Sequence, residues 1–334
     1  MKKSRKITKH LTRDAGGIKI ASSFSQDADA TIFNGSCQDL LQEIPDASVQ
    51  LVVTSPPYNI GKSYEKVISL ETYVAQQEEI IRECVRVLNK TGSICWEVGN
   101  YIGEDEIVPL DIVLFPIFAK YGLKLRNRIV WHFEHGLHCR KRFSGRYETI
   151  LWLTKSNDYV FNLDAVRVPQ KYPNKRYYKG PKTGELSCNP LGKNPGDIWS
   201  IPNVKHNHVE KTIHPCQFPV ELVERLILAL TNPGDLVLDP FLGVGSTAVA
   251  AIKNRRRAAG ADIIRKYADI ATDRVRLAFA GKLRTRPMNT PIYTPGGFKK
   301  EGHNYKSKCD PNQLALLEKK VGYAERILKE VVHA

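Results

Sequence analysis

Val237-Leu238-Asp239-Pro240-Phe241-Leu242-Gly243-Val244-Gly245-Ser246-Thr247 is the stretch on which the fold turns. An apolar run from Asp235 to Asp239 enters a turn with two glycines, and helix-forming text follows from Ser246 to Lys253. Strand, glycine-bearing turn and helix in that order form half of a β-α-β unit. Glycine lets backbone approach a ligand closely, and a helix N-terminus presents free N–H groups to it. The next strand-like run, Arg257 to Asp262, ends in a carboxylate where a ribose contact is expected. The full GxGxxG spacing is missing, so a smaller nucleoside cofactor is expected rather than a dinucleotide. A GxG taken alone reads equally well as a packing turn.

The same alternation continues on both sides. Asp39 to Ile44 reads as a short helix, and Ser48 to Thr54 as a buried strand stopped by Pro56-Pro57. Leu70 to Leu88 has helical spacing, with Ile80, Ile81, Cys84, Val85 and Leu88 as its core stripe. Gly92–Val98, Arg128–Phe133 and Glu148–Leu153 read as strands, Ile107–Lys120 and Pro219–Leu230 as helices. This alternation predicts an α/β fold, a doubly wound, mostly parallel sheet covered on both faces. Residues 1–30 are polar and read as an arm. Residues 156–212 break the pattern, 283–311 are loop-like, and Asn312 to Val332 reads as an amphipathic terminal helix. The expected divisions are therefore 1–30, 31–155, 156–212, 213–282 and 283–334.

Lys and Arg number 50 against 35 Asp and Glu, a net charge of +15 that favours a polyanionic partner through counterion release. The excess is clustered. Lys171, Lys175, Arg176, Tyr177 and Lys179 alternate cations with aromatic rings inside 156–212, a composition that can hold phosphates and stack on bases. Lys141, Arg142 and Arg146 form a second basic group, read either as a solvated face or as a phosphate-tracking loop. The seven cysteines include no CxxC pair, so neither a disulfide framework nor a zinc site is expected, and a reducing cytoplasm fits. His132, His135, His138 and Cys139 lie close together but do not follow zinc spacing, and no metal is expected. The basic N-terminus is followed by no long apolar run, and no stretch approaches the ~18 apolar residues of a membrane span.

Leu51-Val52-Val53-Thr54-Ser55-Pro56-Pro57-Tyr58-Asn59 places a hydroxyl, two prolines and an aromatic ring at a strand end. In an open parallel sheet, strand C-termini are where ligands bind. An exocyclic base amine is a poor nucleophile, because its lone pair is delocalised into the ring. A site that methylates it should hold both N–H bonds with acceptors. The Ser55 hydroxyl and the Pro56 carbonyl can do so, in backbone that Pro56 and Pro57 stiffen. Tyr58 offers a face for a base taken out of the duplex. Pro-Pro alone is more often a rigid turn. Pro215-Cys216 superficially matches the nucleophile of carbon-methylating enzymes, but it lies far from Ser55 and reads as structural.

Together the two stretches resemble the β group of DNA amino-methyltransferases, which act on cytosine N4 or adenine N6. Ser55 to Tyr58 match the family's (Ser/Asn/Asp)-Pro-Pro-(Tyr/Phe) signature, and Asp239 to Gly245 its Asp-Pro-Phe-x-Gly-x-Gly motif. His214-Pro215-Cys216-Gln217-Phe218-Pro219 resembles a segment that packs on the cofactor. Most of 31–281 is covered, and the catalytic motif precedes the cofactor motif. The resemblance implies a class I S-adenosylmethionine-dependent methyltransferase fold with residues 156–212 as its target-recognition region. It implies catalytic roles for Ser55, Pro56, Pro57 and Tyr58. It also implies S-adenosyl-L-methionine held by Asp239, Phe241, Gly243, Gly245, Ser246, Asp262 and His214. The family often has Gly-Asp near the start; here Asn34-Gly35-Ser36 stands instead, which assigns Ser36 to the adenine. Serine at the first motif position points to cytosine N4, with adenine N6 as the alternative. RNA or protein-glutamine methylation and a non-catalytic DNA-binding role are more distant readings. The implied partner is double-stranded DNA; a cognate restriction endonuclease, and the choice between monomer and homodimer, stay open.

Overall fold

The computed structural model describes residues 17–62, 65–103, 106–136 and 138–292, with a strand at 11–13. In chain order come β1 (Leu11–Arg13), β2 (Lys19–Ala21), β3 (Ala30–Asn34), α1 (Cys37–Glu43) and β4 (Val49–Thr54). Helix α2 (Leu70–Val87) runs directly into β5 (Leu88–Val98). A small hairpin, β6 (Asn100–Ile102) and β7 (Ile107–Pro109), precedes α3 (Leu110–Lys120). β8 (Lys124–His132) and β9 (Tyr147–Thr154) form a larger hairpin, and β10 (Ile198–Ser200) follows a long irregular stretch. The chain continues through α4 (Val220–Leu230), β11 (Leu236–Asp239), α5 (Ser246–Lys253), β12 (Arg257–Asp262) and α6 (Arg265–Phe279). The expected terminal helix, 312–332, lies outside the described residues.

The large sheet has the order β1-β2-β3-β12-β11-β4-β5-β9-β8-β10. Pairing is parallel without a break from β2 to β5; β9 then runs antiparallel between β5 and β8. This is the doubly wound, mostly parallel sheet read from the sequence. Its decisive feature is the pairing of β4 with β11, which sets Val52 beside Leu238. Two stretches far apart in the chain thus end side by side in the middle of the sheet.

Strand geometry explains the two cores. Successive side chains point to opposite faces. Leu51 and Val53 of β4, with Val237 of β11, face the α4–α5–α6 layer. Val49 and Val52, with Leu236 and Leu238, face α1, α2 and α3. All these strand residues are buried, so β4 and β11 read as near-continuous apolar runs, as strands covered on both faces must.

Several expectations need correction. Residues 1–30 are not all a polar arm, because Ile18 and Ile20 are buried and β2 joins the sheet beside β3. The helix expected from Ile107 starts only at Leu110. Ile107–Pro109 pairs with Asn100–Ile102 instead, and Pro109, which disfavours helical backbone at the residue before it, takes the N-cap. Helix α6 lies where no element was expected. Its buried face is built largely of Ala268, Ala271 and Ala278, a weak apolar signal. Residues 156–212 are not one irregular body. Val166 and Trp199 are buried in the core, β10 pairs with β8, and only 169–196 stand clear with nearly every residue exposed.

Candidate active site

A cleft of about 730 Å³ opens at the C-terminal ends of β3, β12, β11, β4 and β5. That is a normal size for a small-molecule site, and strand C-termini are its expected place. Ser55, Pro56, Pro57 and Tyr58 all line it, directly beyond β4. So do Ser36, His214, Phe241, Gly243, Ser246 and Asp262. The fold therefore brings together ten of the expected catalytic and cofactor residues.

Asp239 and Gly245 belong elsewhere. Asp239 is fully buried, and both its oxygens are engaged: Oδ1 by the Thr54 hydroxyl (2.6 Å) and the Phe241 N–H (3.1 Å), Oδ2 by the Thr247 hydroxyl (2.6 Å). It ties the ends of β4 and β11 to the start of α5. Burial pushes its carboxyl up to about 6, against the pull of those hydrogen bonds. Gly245, at φ +80°, N-caps α5, and a Cβ there would meet the Ala271 Cβ at 2.8 Å. Its bareness lets α6 pack close, and it does not border the cleft. Both residues tie elements of this half together from behind the cleft lining.

The other half of the pair does meet the cleft. Gly243 has φ +54°, backbone that favours glycine, and a Cβ there would come into contact with the His214 ring at 3.4 Å. Asp262 Oδ1 accepts the Ile264 N–H at 2.7 Å, and burial raises its carboxyl against the pull of the Ile264 and Gly243 amides. The Ser36 hydroxyl caps α1 by accepting the Gln38 N–H at 3.2 Å. His214 packs edge-on against Tyr267, with centroids 4.6 Å apart. Burial and then the Lys211 charge lower it to about 4, so it is neutral at neutral pH. The Ser246 hydroxyl donates to the Phe218 carbonyl at 3.0 Å. A carboxylate, a capping hydroxyl, aromatic rings and a bare glycine turn suit a nucleoside.

On the opposite wall, Ser55 Oγ and Tyr58 Oη lie 2.8 Å apart, and Tyr58 Oη donates to Glu148 Oε2 at 3.5 Å. Tyr58 is thus held by its hydroxyl as well as its ring. Burial, then the Glu148 and Glu97 charges, push its hydroxyl well up. Glu97 was absent from the expected site. It is 4% exposed, lines the cleft, and its Oε1 has no hydrogen-bond partner. Burial and then the neighbouring Glu148 carboxylate raise it well above the usual carboxylate range, which favours its protonated form. A carboxyl inside the apolar run Ile94-Cys95-Trp96-Glu97-Val98 was the available signal. Its pairing with Glu148 had none, since it depends on β9 lying beside β5.

The basic candidates divide. Arg142 borders the cleft, while Lys141 and Arg146 belong to the same β8–β9 loop. Lys171, Lys175, Arg176, Tyr177 and Lys179 are all exposed and none lines the cleft. They lie on a short hairpin closed by Tyr177 N–H to Glu185 O (3.0 Å) and Gly184 N–H to Tyr177 O (2.9 Å). From 156–212 only Asn203, Val204 and Lys205 reach the cleft. Among the described residues no His, Cys, Asp and Glu cluster could hold a metal ion, and no helix is long and apolar enough to cross a membrane.

Comparison with known proteins shows the family. The sequence model of the N6/N4 family, described as DNA methylase, matches residues 49–273. The chain is 54% identical over 253 residues to the Type II methyltransferase M.BglII of Bacillus subtilis, covering 75% of this chain and 70% of that one. It is 35% identical over 258 residues to the DNA adenine methyltransferase YhdJ of Escherichia coli K12, covering 74% and 83%. The solved structure of a DNA modification methylase from Thermus thermophilus, complexed with S-adenosyl-L-methionine, matches 75% of this chain and 92% of its own, with 27% identity and a TM-score of 0.52. S-adenosyl-L-methionine is the cofactor of such proteins, and the donor set around Gly243 and Asp262 suits it. A strand-end Ser-Pro-Pro-Tyr facing a nucleoside cradle thus lies within a chain similar to these relatives over most of its length, which belongs to the N6/N4 DNA methylase family and is a DNA methyltransferase.

Proposed function

We propose that this chain methylates the N4 amine of cytosine at a specific duplex sequence, with the target base extruded into the cleft. The observation that carries this is Ser55 at the end of β4, 2.8 Å from the Tyr58 hydroxyl and in one cleft with Gly243 and Asp262. When bound, S-adenosyl-L-methionine supplies an electrophilic methyl group on its sulfonium. Asp262 and Ser36 hold its nucleoside, and Gly243 leaves room for it.

Ser55 Oγ and the Pro56 carbonyl accept the two amine N–H bonds, so that the nitrogen lone pair turns out of the ring's conjugation. Tyr58 covers the base face. Glu97, in its protonated form, donates a hydrogen bond to the adjacent ring nitrogen and fixes the base edge. The proton that the amine releases has a hydrogen-bonded route from Ser55 through Tyr58 to Glu148. Catalysis here is orientation and exclusion of water.

Adenine N6 is the second reading, supported by the similarity to YhdJ. Adenine also presents an amine beside a ring nitrogen, so Glu97 does not separate the two bases. Nucleoside mass spectrometry of DNA from expressing cells decides. N4-methylcytosine is expected; N6-methyladenine alone would transfer the same residues to the other base. Neither product would remove the assignment of the cleft. The Type II character of M.BglII supports a partner restriction endonuclease, to which DNA from those cells should become resistant.

A further inference from the structure

Phe143 is fully exposed. An isolated phenylalanine with its whole ring in water is unusual, and its surroundings say what would cover it. It stands at the tip of the β8–β9 loop, directly after Arg140, Lys141 and Arg142. The Cys139 N–H donates to Ser144 Oγ at 3.0 Å, which closes a four-residue tip of three cations and one aromatic ring. Below it, the Phe133 N–H donates to the Arg146 carbonyl at 2.8 Å and closes the neck. The tip is therefore a shaped projection rooted in two sheet strands.

Those strands frame the base-binding wall. Trp131 and Phe133 at the end of the first, and Tyr147 and Glu148 at the start of the second, all line the cleft. Cys139, Arg142 and Gly145 carry that lining up into the loop. Phe143 and Glu148 are close in the chain, with a reach of at most about 17 Å between them. A DNA groove is about 8 Å deep, so the tip can enter one while the wall keeps an extruded base.

We propose that Phe143 is a wedge that enters the base stack and occupies the place vacated by the target base. Arg140, Lys141 and Arg142 seat the tip on the flanking phosphates. Extrusion leaves the neighbouring bases unstacked on one side, and a ring inserted there restores a stacking partner. Phe143 acts on the base through the stack and does not touch the reacting atoms; it is a positioning residue. The inference rests on the reading of the cleft as the seat of an extruded base.

The test compares wild-type, Phe143→Ala and Phe143→Trp on the duplex sequence the protein is found to modify. Each is assayed with the target base correctly paired, with it mispaired, and on the isolated strand. Loss of one base–aromatic stack should lower kcat/KM of Phe143→Ala on paired DNA about tenfold to a hundredfold. Most of that loss should vanish on the mispaired duplex and the single strand, where extrusion costs less. Phe143→Trp should restore the rate, and 2-aminopurine at the target position should brighten with wild-type and Phe143→Trp but weakly with Phe143→Ala. Affinity for S-adenosylhomocysteine should not change. An unimpaired Phe143→Ala, or equal losses on all three substrates, overturns the wedge. If wild-type protein modifies no DNA at all, it is the methyltransferase reading that fails.

Discussion

The cofactor half and the 169–196 hairpin are opposite kinds of structure. Around β11, α5 and β12 almost every residue is buried, and one carboxylate, Asp239, joins three elements through three hydrogen bonds. In the hairpin nearly every residue is exposed, and a few backbone bonds set the shape. The contrast teaches what each kind of structure suits, and it fits the division of labour proposed for this chain. Holding a cofactor and a base within a fraction of an ångström requires elements over-determined by packing. Reading DNA requires cations and rings in reach of solvent, supported by a rigid body beneath them.

The sharpest way to break the contrast is at its buried extreme. Asp239→Ala strips the Thr54 and Thr247 hydroxyls and the Phe241 N–H of their acceptor inside the sheet. It should cost roughly 3–5 kcal/mol in urea unfolding and abolish S-adenosylhomocysteine binding in calorimetry. An unchanged unfolding midpoint would mean that Asp239 does not join the two halves.

Asp239→Asn is the gentler probe. Its amide keeps the shape and removes the titration, with Oδ1 still accepting from Thr54 and Phe241 and the amide NH2 donating to the Thr247 hydroxyl, so the pH dependence should change most. The folded carboxyl titrates at about 6 against an ordinary 3.8, so the folded state binds the extra proton. Wild-type stability from this residue is fully present below about 3.8 and is lost as pH rises through about 6. The difference between wild-type and Asp239→Asn should therefore vary by roughly 3 kcal/mol between about pH 4 and pH 7, with wild-type favoured at the acid end. A flat difference would show that burial does not perturb the group.

Ser55→Ala lies at the boundary between the two kinds of structure. It should lower turnover about tenfold to a hundredfold, equivalent to ~1–3 kcal/mol, while S-adenosylhomocysteine affinity stays the same. Near-normal turnover on a cognate duplex would remove Ser55 from the chemistry.

The smallest effect on the body of the protein is expected from the hairpin. Replacing Lys175 and Arg176 by neutral residues should leave thermal stability and cofactor affinity untouched. DNA binding should weaken, and the slope of log K against log salt should shrink by about two. Arg176 also donates to the Gly184 carbonyl at 2.5 Å, so a uniform loss across DNA sequences would mark phosphate contact, and relaxed site choice would mark a lost hairpin shape. No change in either measurement would move recognition to the β8–β9 loop.

Much of this was legible in the order of residues. A buried strand stopped by two prolines, and a strand leading through glycines to a helix, are local patterns whose period and turn chemistry carry meaning without a fold. They located the cleft, the cofactor type and the family. The alanine-faced helix α6 and the sheet strand at Lys19–Ala21 were missed because their local signals are weak and packing decides them.

The roles of individual residues depended on distances across the sheet. Asp239 sits in the cofactor motif, yet only the pairing of β4 with β11 brings Thr54 to it and makes it a brace. Glu97 joins the cleft wall because antiparallel β9 carries Glu148 alongside, and the β8–β9 loop that carries Phe143 rises from the same wall. Sequence alone determined which chemistry this chain carries, because motifs are short-range and their backbone demands are local. Tertiary structure alone decided which groups line the cleft and which brace the others, because burial and pairing between residues far apart in the chain exist only once the sheet has formed.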